Sequence, residues 1–510
     1  MESLLYRNKN AINQVMIIRH VLLLALLPSV MNAQFNNIWE LGYFTNATYP
    51  KCEINFNSGL PAVTNFNRPM NFRACNASVC DDNGNLLFYT NGIYIANANH
   101  DTMQNGSGLN PGAFTNAWKQ NGLPLWQGAL IIPWPDSSHK YLLFHETPNY
   151  DTNVSYRPKE LYYSVIDMSL NSGLGAVIQK NIIFINDTLE FAMLTGCRHG
   201  NGRDWWVTVR KYQSDIYYRI LITTVGIASV DTQHVGGLIT GFGGTGLFSP
   251  DGNWYASFDN QSMLRIYQFD RCTGLLSNMI YHEPPITTIA GGLSFSPNSR
   301  YLYASSLIEM FQYDLQAPNI PASEVLVDTF DGYYSPWPPL EATFLWHALA
   351  PDGKIYVSSL SGVVDLGVIN SPDSGGLACN FQQHSFYMGG FNVHSLPNHI
   401  NYQLSAWDGS LCDTLGINTS VQNEAVFDFK FSISPNPSNG SFKIIYLLPQ
   451  NKNGSLEIFD INGRKVYSQN LPQWSTLQYV SVPDLPEGIY QCVITSDGKR
   501  AVKKVAVIKE

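Results

Sequence analysis

The sequence predicts an all-β protein, a β-propeller of about seven blades followed by a small C-terminal β-sandwich. Three observations carry that expectation. A turn-then-strand phrase recurs at blade-length intervals, aromatics make up 13% of a chain holding 40 Gly and 28 Pro, and the composition breaks near residue 408. Many aromatics between frequent turn formers favour short strands.

The whole chain has 510 residues, 45% hydrophobic and 14% charged, which is the balance of a globular protein with two or three domains. Its net charge of -9 argues against a nucleic-acid partner, because binding phosphates needs a basic surface. The N-terminus reads as an export signal over residues 1–33. Arg7, Lys9 and Arg19 form a basic region, Val21 to Leu27 an apolar core, and Pro28 to Ala33 a cleavage region ending before Gln34. Met31 is large for the minus-three position, and Met16 is an alternative start. The apolar run is too short to span a bilayer, so no transmembrane anchor is expected.

The propeller is expected over residues 34–408. Phe248-Ser249-Pro250-Asp251-Gly252 runs into Trp254 to Phe258, Phe295-Ser296-Pro297-Asn298-Ser299 into Tyr301 to Ser305, and Leu349-Ala350-Pro351-Asp352-Gly353 into Ile355 to Ser358. Pro presets one turn dihedral, and Gly or Asn supplies the left-handed one. Weaker copies precede Leu86, Tyr141 and Trp205. The markers Gly84, Ser137, Gly202, Gly252, Ser299 and Gly353 lie about 53, 65, 50, 47 and 54 residues apart, close to a propeller blade. These six markers imply six blades. A seventh follows if the first strands, Trp39 to Phe56, pair with the last, Phe391 to Trp407. Export permits disulfides. The eight cysteines lack zinc-site spacing; Cys75 and Cys80 are candidates to pair with each other or with Cys52, and Cys492 reads as a buried free thiol.

Asn83 to Gly92, Asn99 to Gly106, His199 to Trp206, Phe269 to Gly274 and Leu396-Pro397-Asn398-His399-Ile400 resemble phrases of exported propeller proteins from gliding Gram-negative bacteria. The resemblance spans roughly residues 36 to 408 and implies an extracellular propeller without implying an activity.

Residues 409–428 read as a polar connector. A new domain, 429–510, opens at Ser434-Pro435-Asn436-Pro437, continues through Asp460-Ile461-Asn462-Gly463-Arg464 and Leu485-Pro486-Glu487-Gly488-Ile489-Tyr490, and ends on a strand starting at Lys503-Lys504. Short alternating strands joined by such turns make a β-sandwich. The phrases closely resemble the type A C-terminal sorting domain of the type IX secretion system. That resemblance implies recognition by an outer-membrane translocon through Pro435, Asn436, Pro437, Gly463, Arg464, Gly488, Tyr490, Lys503 and Lys504. It also implies a mature protein secreted from, or held on, the outer surface of a Gram-negative cell.

No catalytic constellation stands out: there is no Gly-x-Ser-x-Gly elbow, no His-Glu-x-x-His and no phosphate loop. No cofactor is expected; structural calcium remains open, although no loop has EF-hand-like spacing. His199, Arg203, Trp205 and Trp206, with Trp346 and His347, are the candidate ligand-binding residues, since Trp beside Arg can form a sugar or peptide platform. Against this, Trp205 and Trp206 point to opposite faces of one strand, which suits packing between blades. Asp81, Asp82, Asp204, Asp251 and Asp352 could serve a glycosidase but sit in turns, where Asp bonds its own backbone. The expected function is a binding or adhesion module for a polysaccharide or surface protein; a propeller hydrolase or lyase with axial carboxylates is the alternative. A carboxylate pair in the axial pocket would favour the enzyme, and a wall of aromatics, amides and backbone groups the binding module.

Overall fold

The computed structural model describes residues 34–44, 50–149, 157–240, 243–261, 263–336, 339–413, 431–448, 451–473, 475–497 and 499–509. The signal segment 1–33, with Ala33, and residues 414–428 of the expected connector lie outside them. The chain divides into two compact units, residues 1–415 and 416–510.

The first unit is built from antiparallel meanders in chain order, each strand pairing with the next. The first strands of the second to seventh meanders are Ala77–Cys80, Ala129–Pro133, Thr195–Arg198, Thr245–Phe248, Ala290–Phe295 and His347–Leu349. They lie at the centre, where Thr245 Oγ1 donates to the Gly291 carbonyl of the next meander at 2.6 Å. A single parallel bridge, Ala176 to Gln104, links the second and third meanders at their outer edges. Both faces of each sheet are apolar because each is covered by a neighbour. The interface clusters follow one another round the ring. Val79, Phe88, Ile131 and Leu143 join the second and third sheets, and Leu130, Phe144, Trp205 and Val207 the third and fourth. Trp206, Tyr217, Tyr255 and Tyr267 join the fourth and fifth, Phe258, Ile266, Leu293 and Leu302 the fifth and sixth, and Tyr303, Met310, Ile355 and Val357 the sixth and seventh. Trp39, Ile54 and Phe56 of the first sheet meet Tyr356, Leu366 and Met388 of the seventh and close the circle. The fold is a seven-bladed propeller.

The first sheet has three strands, Ile38–Leu41, Lys51–Asn55 and Ala62–Phe66. Its first strand runs against its neighbour. The Cys80 amide donates to the Phe35 carbonyl, Ser78 Oγ to Ile38 and Asn76 Nδ2 to Glu40, so partner numbers rise as the others fall. The innermost place of this blade falls to residues 395–404, which run in the same direction as the other central strands. Asn76 Nδ2 donates to Ser395 Oγ at 3.0 Å, and His399 Nε2 lies 3.0 Å from the Ser78 carbonyl. Asn398 Nδ2 donates to the Ala129 and Leu194 carbonyls at 2.9 and 3.1 Å, and Tyr402 Oη to Ile131 at 2.9 Å. The chain ends therefore meet as expected, but among the described residues no ladder joins this strap to the first sheet. Pro397 has no N–H to offer; the Asn398 amide donates to the Asn76 carbonyl at 2.9 Å, and the side chains of Asn398, His399 and Tyr402 make the further bonds.

Beyond the strap, Arg271 Nη2 donates to the Ser405 carbonyl, and Cys412 forms a disulfide with Cys272 in the turn of the fifth blade. The start of the expected connector is thus fixed to the propeller. The pairing considered among Cys52, Cys75 and Cys80 is not made; all three are buried free thiols. Cys75 and Cys80 are five residues apart along an extended segment, roughly 16 Å at strand rise, well beyond the reach of a disulfide.

The second unit packs a three-stranded sheet, Phe431–Ser434, Ser441–Tyr446 and Leu477–Ser481, against a four-stranded one. Cys492 is a buried free thiol, in the same core as Tyr490 and Ile494. Asn436 ties the opening turn to the last strand, donating to the Lys504 carbonyl at 3.1 Å and accepting from the Ala506 amide at 2.8 Å. Asp460 accepts from the Asn462 and Arg464 amides, closing a turn whose Gly463 has φ 78°. Tyr490 Oη donates to the Pro486 carbonyl at 2.7 Å.

Candidate functional site: the axial cavity

A cavity of about 310 Å³ lies along the propeller axis, between the strap and the central strands of the fourth to seventh blades. Its rim is built from the recurring turn phrase: Pro250, Pro297 and Pro351 line it in three successive blades, with Asn401 and Gln403 of the strap opposite. Pro351, Asn401 and Gln403 are exposed, so this end meets solvent. At the inner end Trp126 forms the floor, stacked on Trp346 with ring centroids 4.3 Å apart and planes 6° apart. An amide lock lies beside them. Gln127 Nε2 donates to the Gly246 carbonyl at 2.9 Å and to Asn398 Oδ1 at 3.3 Å, while its Oε1 accepts from the Gly246 amide at 3.1 Å.

Phe248, Phe295, Leu349 and Tyr402 supply apolar wall, and Thr195, Ser294 and Asn398 polar wall. Among the described residues, the lining includes no Asp or Glu. His347 is held between Ser294 Oγ at 3.2 Å and Ser305 Oγ at 2.9 Å, and burial pushes its imidazole down to about 3. Burial pushes His399 down to about 4, against a smaller opposing effect of the Ser78 carbonyl. Both rings are neutral at physiological pH. Arg198 is the one lining residue with a permanent charge. Its guanidinium sits 3.9 Å from the Trp205 ring centroid and donates to the Tyr402 carbonyl at 2.6 Å. The ring nitrogens Trp126 Nε1 and His399 Nδ1 are buried without a hydrogen-bond partner.

Of the residues singled out in the sequence, His347 lines this cavity and Trp346 backs its floor. The others are elsewhere. Trp205 is fully buried between the third and fourth blades, and Trp206 is buried between the fourth and fifth, its Nε1 donating to the Arg271 carbonyl at 2.9 Å. His199 Nδ1 accepts from the Asn201 amide, and Arg203 is paired with Asp204 at 2.7 Å. A ligand platform on Trp205 and Trp206 is therefore corrected: strand alternation sends one ring into each inter-blade interface. The acidic residues hold turns, Asp81 accepting from the Asn83 and Asn85 amides, Asp251 from Asn253 and Asp352 from Lys354. Trp126, Gln127, Arg198 and Asn398 were not singled out as site residues. Asn398 lies in the Leu396 to Ile400 phrase, which was the one available signal.

Residues 432–509 match the secretion system C-terminal sorting domain family. The protein is a β-propeller carrying a type IX sorting domain, which directs export. No curated protein matches the sequence. Among solved structures, the chain is similar to a Bacteroides uniformis protein provisionally described as a 6-phosphogluconolactonase (11% identity, 70% of this chain and 98% of that one, TM-score 0.41). It is also similar to the periplasmic gluconolactonase PpgL of Pseudomonas aeruginosa (11% identity, 88% and 100%, TM-score 0.35). Likeness at this level transfers no activity.

Proposed function

We propose that the protein is an extracellular binding or adhesion module whose ligand, a polysaccharide or a surface protein, enters the axial cavity. The observation that supports this reading is the cavity wall: aromatic rings, amides, hydroxyls and backbone groups without a carboxylate. Glycoside hydrolysis commonly needs two carboxylates flanking the scissile bond, and the nearby aspartates are engaged in turns. The sorting domain delivers the propeller to the outside of a Gram-negative cell, released or attached to its surface. A glycan array run together with a hydrolysis assay on the purified protein tests the reading. Saturable binding without product is expected; released oligosaccharide would return the hydrolase or lyase alternative.

A further inference from the structure

Resting on that binding reading, we propose that the axial cavity recognises the end of a carbohydrate chain, one or two units long, uncharged or acidic but not cationic. The cavity is blind. Trp126 backed by Trp346 closes its inner end, and the Gln127 to Gly246 and Asn398 bonds lock the backbone beside it. A chain cannot thread through, so only its terminus can reach the floor. The volume of about 310 Å³ is at the low end of small-molecule sites, which run from about 300 to 1,000 Å³. That space accommodates an end group rather than a chain segment.

The polar chemistry fits hydroxyls. Thr195, Ser294, Asn398, Asn401 and Gln403 give the lining neutral hydroxyls and amides. A sugar hydroxyl can both donate to and accept from such groups. Trp126, Phe248 and Leu349 give the lining apolar surface for the carbon-rich side of a pyranose ring. Charge sets the exclusion. Among the described residues the lining has no carboxylate to pair with an ammonium group, both histidines are neutral, and Arg198 is its one charged side chain. Burying an unpaired ammonium there is costly, whereas a carboxylate near Arg198 is not opposed.

The strap makes the site conditional on an intact C-terminal end of the propeller. Asn398, Tyr402 and Leu404 form one wall, and that wall is anchored through Cys412 to Cys272.

The test uses the full-length oxidised protein and immobilised or titrated oligosaccharides of three kinds, neutral, uronate-containing and free-amine, each as dimer and hexamer. Binding of neutral or uronate chains is expected, with dimer and hexamer affinities within about threefold and free-amine chains at least tenfold weaker. Ala348→Phe, which adds bulk at a half-buried lining position that also packs on the interface of the first and seventh blades, should lower affinity at least tenfold, with the melting midpoint read beside it so that lost fold is not scored as lost binding. Gln403→Ala, at the exposed rim, should weaken binding several-fold without moving the melting midpoint. Hexamers binding tenfold tighter than dimers, or glycan binding unaffected by Ala348→Phe, would overturn end recognition and leave a glycan-binding module with another surface. Preferred binding of free-amine chains would overturn the charge argument. Failure of every glycan, with the protein folded, would overturn this proposal while leaving a surface-protein ligand for the module.

Discussion

Replacing Cys412 by Ser should loosen the propeller in a way that its sequence position allows to be calculated. The disulfide joins residues 140 positions apart, and the chain-entropy relation for such a loop gives about 5 kcal/mol at 25 °C. Native disulfides realise 2–5 kcal/mol. For a propeller of roughly 380 residues, at about 2 cal/mol/K of unfolding entropy per residue, the full value corresponds to a midpoint fall of about 6 °C. Scanning calorimetry at one heating rate, on wild type, Cys412→Ser, Cys272→Ser and the double variant, measures it; a fixed rate matters because large proteins often unfold irreversibly. Both single variants and the double variant should show the same fall, since one bond can be lost only once. Amide exchange should rise first in residues 395–413, because no β-ladder among the described residues holds the strap and its remaining attachments are individual hydrogen bonds and side-chain packing. A double variant falling twice as far as either single, or unchanged exchange in the strap, would refute this description of ring closure.

Other expectations follow from single side chains. Asn398→Ala removes the donor that satisfies two buried carbonyls, at about 1–3 kcal/mol each, so a denaturation midpoint should fall by an amount comparable to the disulfide loss. His347 and His399 have folded pKa values depressed to about 3 and about 4. Their contribution is complete above the unfolded value near 6.5 and is lost as pH falls from there toward the folded values, by about 2 kcal/mol each at pH 5. His347→Gln should flatten that slope in denaturation measured from pH 7 to 5. Trp205→Ala should destabilise by about 3–5 kcal/mol as a core truncation, read by denaturant unfolding. Truncation after residue 430 should retain the propeller inside the outer membrane, read by cell fractionation, and Gly463→Val should reduce export through a destabilised turn, because φ 78° disfavours a β-branched residue.

Much of this architecture was legible because propellers repeat their local chemistry. The Pro-Asp-Gly phrases at Pro250 and Pro351, and the related one at Pro297, marked both the blade period and, as it turned out, the cavity rim. Trp205 and Trp206 were legible as a strand with two faces, and the burial of both rings follows from period two. The floor was not. Trp126 sits in an irregular segment before Ala129–Pro133 with no repeat to flag it, and its partner Trp346 is distant in sequence. The strap was visible as a phrase, but its path was not: with Pro397 inside it and side chains making most of its bonds, it carries no strand alternation. The disulfide was equally hidden, because Cys272 lies in a blade turn and Cys412 in what reads as a connector.

Hydrogen–deuterium exchange with and without a ligand identified by the array tests the axial site most directly. Protection confined to residues 126–127, 195–198, 245–250, 293–297, 347–353 and 397–404, the segments that wall the cavity, is the predicted result. Protection confined to the outer strands of the blades, with those six segments unchanged, would contradict it.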